Sequence, residues 1–234
     1  MEFYIVDVGI IGAMAPEVEE LISLLEDCRT AKVSGVDYYE GFLDGKHVVV
    51  AQCGIGKVYA ATSCEAMILR YSPRLIVNTG VAGALAKGIR PGDIVIADRL
   101  CQHDMDTTSA GDPKGLISGT GKIYFDTDMR ALKILTEEAG GLGMKALVGI
   151  IATGDQFIAG REERERIIRE FSASACEMEG GAIAQVSYLN STPCIVVRAI
   201  SDSADGEASV DYPTFLAEAA KKSAALTRAL VRRY

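Results

Sequence analysis

The segment CIVVRAISD at residues 194–202 is an almost wholly apolar run that carries one arginine and ends in Ser-Asp. Such a run is typical of a strand that is buried on both faces of a parallel sheet. Ligands of open α/β sheets bind outside the carboxyl ends of these strands, which places Asp202 where a small molecule is expected. Earlier in the chain, CEMEGGAIA at residues 176–184 puts Glu177 and Glu179 where an apolar helix begins. We therefore predict that these carboxylates face one crevice, suited to acid/base chemistry or to binding hydroxyls and amines.

Apolar runs alternate with amphipathic patterns along nearly the whole chain. The runs that predict strands lie at residues 4–11, 46–53, 74–79, 92–98, 146–153 and 193–200. The patterns that predict helices lie at residues 15–27, 57–71, 128–140, 161–171, 179–190 and 211–232. This alternation favours an α/β fold, with a mainly parallel sheet between layers of helices. At 36–53 two apolar runs flank Asp44-Gly45 as in a hairpin, so the predicted sheet is mixed.

The length of 234 residues fits one α/β domain, and we expect a single domain over residues 1–234 without linkers or repeats. Residues 106–123 form the longest irregular stretch, and 201–211 follow Asp202 directly. Loops of this length inside a compact domain are usually functional or mobile.

The net charge of −8 argues against a nucleic-acid partner, because binding a phosphate backbone requires clustered Lys and Arg. We expect no membrane association, since the sequence has no apolar stretch of about 20 residues. The start of the chain lacks a secretory pattern, and the six scattered cysteines read as reduced core residues, so we expect a cytoplasmic protein. The two histidines, His47 and His103, are too few and too far apart to predict a zinc cluster.

Three glycine-containing segments allow a plain or a functional interpretation. GIIGAMAPE at 9–17 reads as a strand, a tight turn and a helix start, where Glu17 is either an ordinary first-turn acid or a site residue. GIGK at 54–57 lacks the spacing of a phosphate loop, so it is either a tight turn or a close approach of backbone to ligand. NTGVAG at 78–83 ends a strand with small residues, with or without a ligand at its amides.

Two polar motifs are also ambiguous. HDMD at 103–106 suggests a metal site at first sight, but one His and two Asp are few ligands, and we predict no metal. Phe157, within TGDQFI at 153–158, is either a core residue or a stacking platform for a planar base. The sequence has no nucleophile elbow that would nominate a Ser or Cys nucleophile.

Taken in order, these segments resemble the nucleoside phosphorylase/hydrolase superfamily, and most closely its methylthioadenosine/S-adenosylhomocysteine nucleosidases. The resemblance covers nearly the whole chain, from Val8 to about Leu230. The segments that carry it are GIIGAM (9–14) with Glu17, CGIGKV (53–58), NTGVAG (78–83), GDIVIAD (92–98), HDMD (103–106), TGDQFI (153–158), CEMEG (176–180) and VVRAISD (196–202).

The resemblance implies a twisted mixed β-sheet flanked by helices, a homodimer, and hydrolysis of the N-glycosidic bond of a 5′-thio-substituted adenosine. Glu17 would match the carboxylate that activates water, and Asp202 the acid that serves N7 and the amino group of adenine. Glu179, with the backbone of Met178, would hold the ribose hydroxyls. The other expected substrate contacts are Ala13, Met14, Ile55, Val81, Ala82, Gly83, Phe157, Ile158, Glu177, Arg198, Ser201, Ala204 and Tyr212. No metal and no organic cofactor is implied.

The chemistry of glycosidic cleavage agrees with these roles. Breaking the C–N bond builds positive charge on the sugar and negative charge on the departing base, so a proton is wanted at N7 and a base beside the water. We expect burial to keep the acid protonated by raising its pKa.

The main alternatives share the fold: a purine nucleoside phosphorylase, which needs a phosphate site, or an aminodeoxyfutalosine hydrolase. A non-catalytic nucleoside sensor is a third. The sequence departs from the family at 107–112, which lacks the aromatic residues of many members, and at 203–205, which keeps part of the usual lid. These departures leave the preference among 5′ substituents, including 5′-deoxyadenosine, open.

Overall fold

The computed structural model of the chain describes residues 5–202 and 208–234, and for 208–214 it describes the backbone. Its strands are β1 (Val8–Gly12), β2 (Glu26–Val33), β3 (Val36–Leu43), β4 (Lys46–Gln52), β5 (Leu75–Ala84), β6 (Ile94–Gln102), β7 (Phe125–Asp126), β8 (Ala146–Thr153), β9 (Ala175–Glu177) and β10 (Cys194–Asp202). Its helices are α1 (Ala15–Ser23), α2 (Lys57–Tyr71), α3 (Met129–Gly141), α4 (Arg161–Phe171), α5 (Gly180–Leu189) and α6 (Ala208–Arg233). A short 3₁₀ helix spans Thr108–Ala110.

These strands form one mixed sheet in the order β10-β6-β8-β9-β5-β1-β4-β3-β2, with β7 paired to β6. Strand β1 pairs in parallel with β4 and β5, whereas the β2-β3-β4 segment is antiparallel. Strand β10 pairs with both β5 and β6, which closes β5, β10, β6, β8 and β9 into a ring. The predicted mixed α/β sheet is confirmed.

Alternating residues of the central strands pack against different helices. In β4, Val49 and Ala51 belong to a buried cluster with residues of α2 and α5. Val48 and Val50, on the opposite face, pack with residues of α1, α3 and α6. Each of the three buried valines stabilises the fold by about 1.5–3 kcal/mol through removal of its apolar surface from water. The two helical layers therefore hold the sheet rigidly from both sides.

Strand β2 was not predicted, and the helix expected at 15–27 ends at Ser23. Residues 26–33 are mostly exposed and pair with β3 at the edge of the sheet. Because neither face of β2 is covered, its sequence shows no period-two alternation of apolar residues, which is the usual signal of a strand. The predicted hairpin of β3 and β4 is present, joined at Asp44-Gly45.

The first and fifth strands differ from prediction in opposite ways. Strand β1 begins at Val8. The described residues 5–7 therefore lie outside it, although the sequence predicted a strand from residue 4. Strand β5 continues to Ala84, beyond its predicted end at residue 79, so residues 78–83 lie within the strand. Small residues there permit pairing with β10 on one side and β9 on the other. The short strands β7 and β9 were also missed.

The cysteines are all free; five are buried as expected, but Cys28 on β2 is exposed. Among the described residues, the helices are too short or too polar for one to cross a membrane.

Candidate active site

Glu17 is held at the start of α1 by three backbone amides. Its Oε2 accepts hydrogen bonds from the amides of Ala13 (2.7 Å) and Met14 (2.9 Å), and its Oε1 accepts one from the amide of Val81 (3.0 Å). Pro16 occupies the first turn of α1, where it needs no amide hydrogen. Burial raises the pKa of Glu17, although Arg198 and the three amides act in the opposite direction. The result is a fixed and unusually basic carboxylate.

Arg198 lies behind Glu17 in the interior of β10 and is fully buried. Its Nη2 donates to Asn78 and Glu177 and lies 3.6 Å from Oε2 of Glu179. Burial alone would lower the pKa of Arg198, but the charges of Glu177, Glu179 and Glu17 outweigh it and raise the pKa. One cation thus balances several buried acids.

Glu177 accepts hydrogen bonds from four protein groups. Its Oε2 accepts hydrogen bonds from the amides of Glu179 (3.0 Å) and Gly180 (2.7 Å) and from Arg198. Its Oε1 accepts a hydrogen bond from the hydroxyl of Thr153. These bonds fix the turn between β9 and α5, so Glu177 orients Glu179 and has its oxygens committed to protein groups.

Glu179 immediately precedes α5 and is 5% exposed. Its Oε1 accepts a hydrogen bond from the amide of Gly56 at 2.8 Å. Burial, and after it the charge of Glu177, raises the pKa of Glu179. Gly56 has φ of 100°, a conformation that favours glycine, and this lets its amide point at the carboxylate.

Asp202 forms a buried ion pair at the end of β10. The Nη2 of Arg164, on α4, donates to its Oδ2 at 2.8 Å, and the Ser201 hydroxyl donates to its Oδ1 at 3.0 Å. The sequence did not indicate the guanidinium of Arg164 beside this acid. The expectation that burial keeps Asp202 protonated stays a prediction.

Strand register explains how these acids meet. Asp202 is paired with Gly83 of β5, and Gly83 with Cys176 of β9. The neighbouring pair joins Thr153 of β8 to Glu177. The ring of strands thus brings the ends of β10, β9 and β8 to one place.

A cavity of about 300 Å³ opens there, at the lower end of the range for small-molecule sites. Phe157 and Ile55 are more than half exposed on its lining, so the interpretation of Phe157 as a core residue is wrong. The described lining residues are Ala13, Met14, Glu17, Ile55, Val81, Ala82, Gly83, Gln156, Phe157, Ile158, Cys176, Glu177, Met178, Glu179, Ser201 and Asp202. The three candidate acids Glu17, Glu179 and Asp202 therefore share one hollow.

Comparison with known proteins assigns the chain to a family. The family described as "Phosphorylase superfamily" matches residues 7–232. A 5′-methylthioadenosine/S-adenosylhomocysteine nucleosidase from Haemophilus influenzae is 41% identical over 97% of this chain and 99% of its own. The chain belongs to this nucleosidase family of the phosphorylase superfamily.

Solved structures agree with the family assignment. The nucleosidase from Neisseria meningitidis, in complex with methylthio-immucillin-A, has a TM-score of 0.94 at 35% identity and covers 97% of this chain and 99% of its own. A futalosine hydrolase of Helicobacter pylori has a TM-score of 0.93 at 33% identity and covers 99% of both chains. This nucleosidase-family chain therefore has the nucleoside phosphorylase-like fold expected from its motifs.

Arg198 is the one expected site residue with a described side chain that is not on the cavity lining. Arg198 lies behind the wall, in contact with Glu177 rather than at the surface. Ala204 lies outside the described residues, as does the side chain of Tyr212. The other expected residues are on the lining.

Sequence reasoning missed Gln156 and Cys176 on the lining, and Arg164 behind Asp202. Both lining residues lie within quoted motifs, Gln156 in TGDQFI and Cys176 in CEMEG, but neither was assigned to the site. Arg164 gives no such signal, because it lies in a highly charged helix among several similar arginines.

Proposed function

We propose that this protein hydrolyses the N-glycosidic bond of 5′-methylthioadenosine and S-adenosylhomocysteine, releasing adenine and the corresponding thioribose. The observation that carries the proposal is the convergence of buried Glu17, Glu179 and Asp202 on one cavity of about 300 Å³. Relatives at about 40% identity are named as nucleosidases of these two compounds, which supports the same reaction.

Glu17 is the candidate general base. Its raised pKa makes it a better proton acceptor than an ordinary glutamate once it is ionised. As the C1′–N9 bond lengthens, positive charge grows at C1′ and water attacks there, giving its proton to Glu17. The amides of Ala13, Met14 and Val81 keep the carboxylate from rotating away from that water.

Asp202 is the candidate acid at the leaving base. The electron pair of the broken bond moves onto the purine, and a proton placed on N7 by Asp202 neutralises it. Asp202 enters the reaction protonated, gives the proton of its carboxyl group to N7 and becomes a carboxylate, which the guanidinium of Arg164 stabilises.

The remaining walls position the nucleoside. We assign Glu179, which lines the cavity with Met178, as the acceptor of hydrogen bonds from the ribose hydroxyls. Phe157 offers an exposed ring for stacking on the purine, and Ile158 lies next to it on the lining. Met14 and Ile55 supply apolar surface for the sugar and its 5′ sulfur substituent.

Water is favoured over phosphate as the nucleophile. The described cavity lining contains neither Lys nor Arg, and Val81 and Ala82 lie beside Glu17. Arg198, close behind, has its charge committed to Glu177 and Glu179. A phosphate dianion next to buried Glu17 would meet repulsion without a compensating cation.

A substrate panel in phosphate-free buffer tests the proposal through adenine formation. We expect cleavage of 5′-methylthioadenosine, S-adenosylhomocysteine and 5′-deoxyadenosine, with no increase on adding phosphate. Strict dependence on phosphate would instead establish a phosphorylase, and tight binding without cleavage would indicate a nucleoside sensor.

A futalosine-type hydrolase is the second candidate, because one solved structure of such an enzyme matches nearly the whole chain. The same base and ribose contacts would serve a 5′ substituent that extends out of the cavity. Adding aminodeoxyfutalosine to the panel decides between them: the substrate with the larger kcat/KM identifies the main activity.

We also propose that the chain works as a homodimer. Val58, Tyr59 and Leu69 of α2 are each more than half exposed in the isolated chain. Val58 and Leu69 are eleven residues apart, so they lie on one face of the helix. Burial of this face against a second copy would remove it from water. Light scattering should give twice the chain mass, and Val58→Glu with Tyr59→Glu should halve it.

The proposed location is the cytoplasm, where the six free cysteines remain reduced. Fractionation of cells that express the protein, with periplasmic and cytoplasmic marker enzymes, tests this.

A further inference from the structure

Three residues from three separate segments, the start of α2 and the loops after β6 and β8, form a closed triangle of hydrogen bonds beside the cavity. The Nζ of Lys57 donates to Oδ1 of Asp104 at 2.7 Å. The amide of Asp155 donates to Oδ2 of Asp104 at 2.9 Å, and the amide of Lys57 donates to Oδ1 of Asp155 at 2.8 Å. Each member of the triangle therefore contacts both others.

The triangle differs from an ordinary surface ion pair. The side chains of Lys57 and Asp104 are 21% and 20% exposed, so both are largely shielded from water. Two of the three bonds involve backbone amides, which means that the carboxylates fix the loops themselves. Burial alone would raise the pKa of Asp104, but the bonds from Lys57 and from the Asp155 amide outweigh it and lower the pKa.

His103 supports the triangle from the interior. It is fully buried, and its ring lies so close to Gly154 that a side-chain carbon there would collide with it. The loop that carries Asp155 is thus held by the imidazole on one side and by Asp104 on the other.

Two segments of the triangle, those of Lys57 and Asp155, adjoin a wall of the cavity. Lys57 follows Ile55 and Gly56, and the amide of Gly56 bonds to Glu179. Asp155 precedes Gln156, Phe157 and Ile158, which form the wall assigned to the base. The distance between the two walls is therefore set by the bonds between Lys57 and Asp155 and by their common partner Asp104.

We propose that Lys57, Asp104 and Asp155 are positioning residues that hold the base wall and the sugar wall in their binding geometry before the nucleoside arrives. The inference rests on the proposed function, because it takes the ligand to be an adenine nucleoside. Holding loops in advance lowers the entropy lost on binding and so improves affinity. Glu17 and Asp202 lie on other elements, so the chemical step itself should change little.

The test uses Lys57→Met and Asp104→Asn in the full chain. For both, we expect the KM for 5′-methylthioadenosine and the calorimetric Kd for adenine to rise together by about tenfold, with kcat within about threefold. Lys57→Arg should recover most of the affinity, because it restores the donor and the charge. In the double variant the loss should be far smaller than the product of the two single losses, since both break one network.

Asp106→Asn is the matched control. Asp106 lies two residues from Asp104, is exposed, and bonds to Thr108 and Lys114 outside the triangle. The KM and the adenine Kd of Asp106→Asn should stay within about twofold of the wild-type values, as is usual for substitutions at exposed sites. If Asp104→Asn does not fold, Asp155→Asn replaces it, because it weakens the bond from the Lys57 amide.

Unchanged KM and adenine Kd in the Lys57 and Asp104 variants would overturn the proposal, as would an equal loss in Asp106→Asn or a fall in kcat alone. The substrate panel tests the proposed function independently of the positioning role. Calorimetry with adenine tests the positioning role, because it requires no turnover. If the wild type binds adenine but cleaves no nucleoside, the proposed function fails and the adenine Kd of the variants still tests the positioning role. If the wild type does not bind adenine, the positioning role is overturned.

Discussion

Arg164 and Asp202 form an ion pair of 2.8 Å whose two side chains are 2% and 3% exposed. The pair joins α4 to the end of β10, and it places a guanidinium directly behind the candidate acid. Breaking such a buried pair leaves one charge without its compensation, which is the costly outcome.

Arg164→Met should therefore lower the free energy of unfolding by about 3–5 kcal/mol. The double variant Arg164→Met/Asp202→Asn should be more stable than Arg164→Met alone, since it removes the uncompensated charge. Urea denaturation of the two variants measures this. A double variant no more stable than Arg164→Met would show that the charge of Asp202 is not the cause.

Glu17→Gln should lower kcat by about 10²–10⁴-fold, the usual contribution of one general base. Binding of adenine should persist, because the assigned base wall does not involve Glu17. Glu19→Gln, an exposed change in the same helix, is the control and should leave kcat unaltered. Steady-state kinetics with adenine calorimetry tests both, and a Glu17→Gln enzyme with nearly full kcat would assign the base elsewhere.

The pH profile should show the raised pKa of Glu17. A raised pKa means that the side chain keeps its proton above the ordinary value of 4.5, and a general base must be ionised. Activity should therefore fall as the pH drops through a value clearly above 4.5. A plot of kcat/KM against pH for the wild type measures this limb; full activity at pH 4.5 would contradict the assignment.

Glu179→Ala should reduce kcat/KM by about 10- to 150-fold, the range for a hydrogen bond to a charged group. The reduction should shrink on a 2′,3′-dideoxy analogue, which offers no hydroxyl to the missing carboxylate. Comparing the two substrates on the two enzymes isolates the contact. An equal reduction on both substrates would mean that Glu179 acts through the structure of the site instead.

Gly80→Ala should damage the site through close packing. A side-chain carbon at Gly80 would collide with the guanidinium of Arg198 and the carboxylate of Glu17, and neither can move freely. We expect a loss of about 1–3 kcal/mol in unfolding free energy together with reduced kcat. Gly140→Ala, in α3 with open space around it, is the control and should be neutral or stabilising by about 0.5–1 kcal/mol. Equal melting temperatures for the two variants would refute the collision.

The gaps in the sequence reading have definable causes. Strand β2 was missed because an exposed edge strand needs no apolar alternation, whereas β10 was evident because both of its faces are buried. Glu177 was expected to contact substrate and lies on the cavity lining, but its bonds to protein groups were not foreseen. Its bonds to Thr153 and Arg198 depend on strands that meet only in the folded chain.

By itself the sequence determined the alternation of strands and helices, the edge of the sheet where Asp202 ends a strand, and the acids at the starts of two helices. These follow from local periodicity and turn chemistry, which neighbouring residues specify. The tertiary structure alone decided that Arg164 pairs with Asp202 and that Glu177 bonds to Thr153 and Arg198. It also decided that Lys57, Asp104 and Asp155 join the start of α2 to the loops after β6 and β8. Such contacts depend on the register of strands distant in sequence, and a slip of one residue would turn the same side chains to the opposite face.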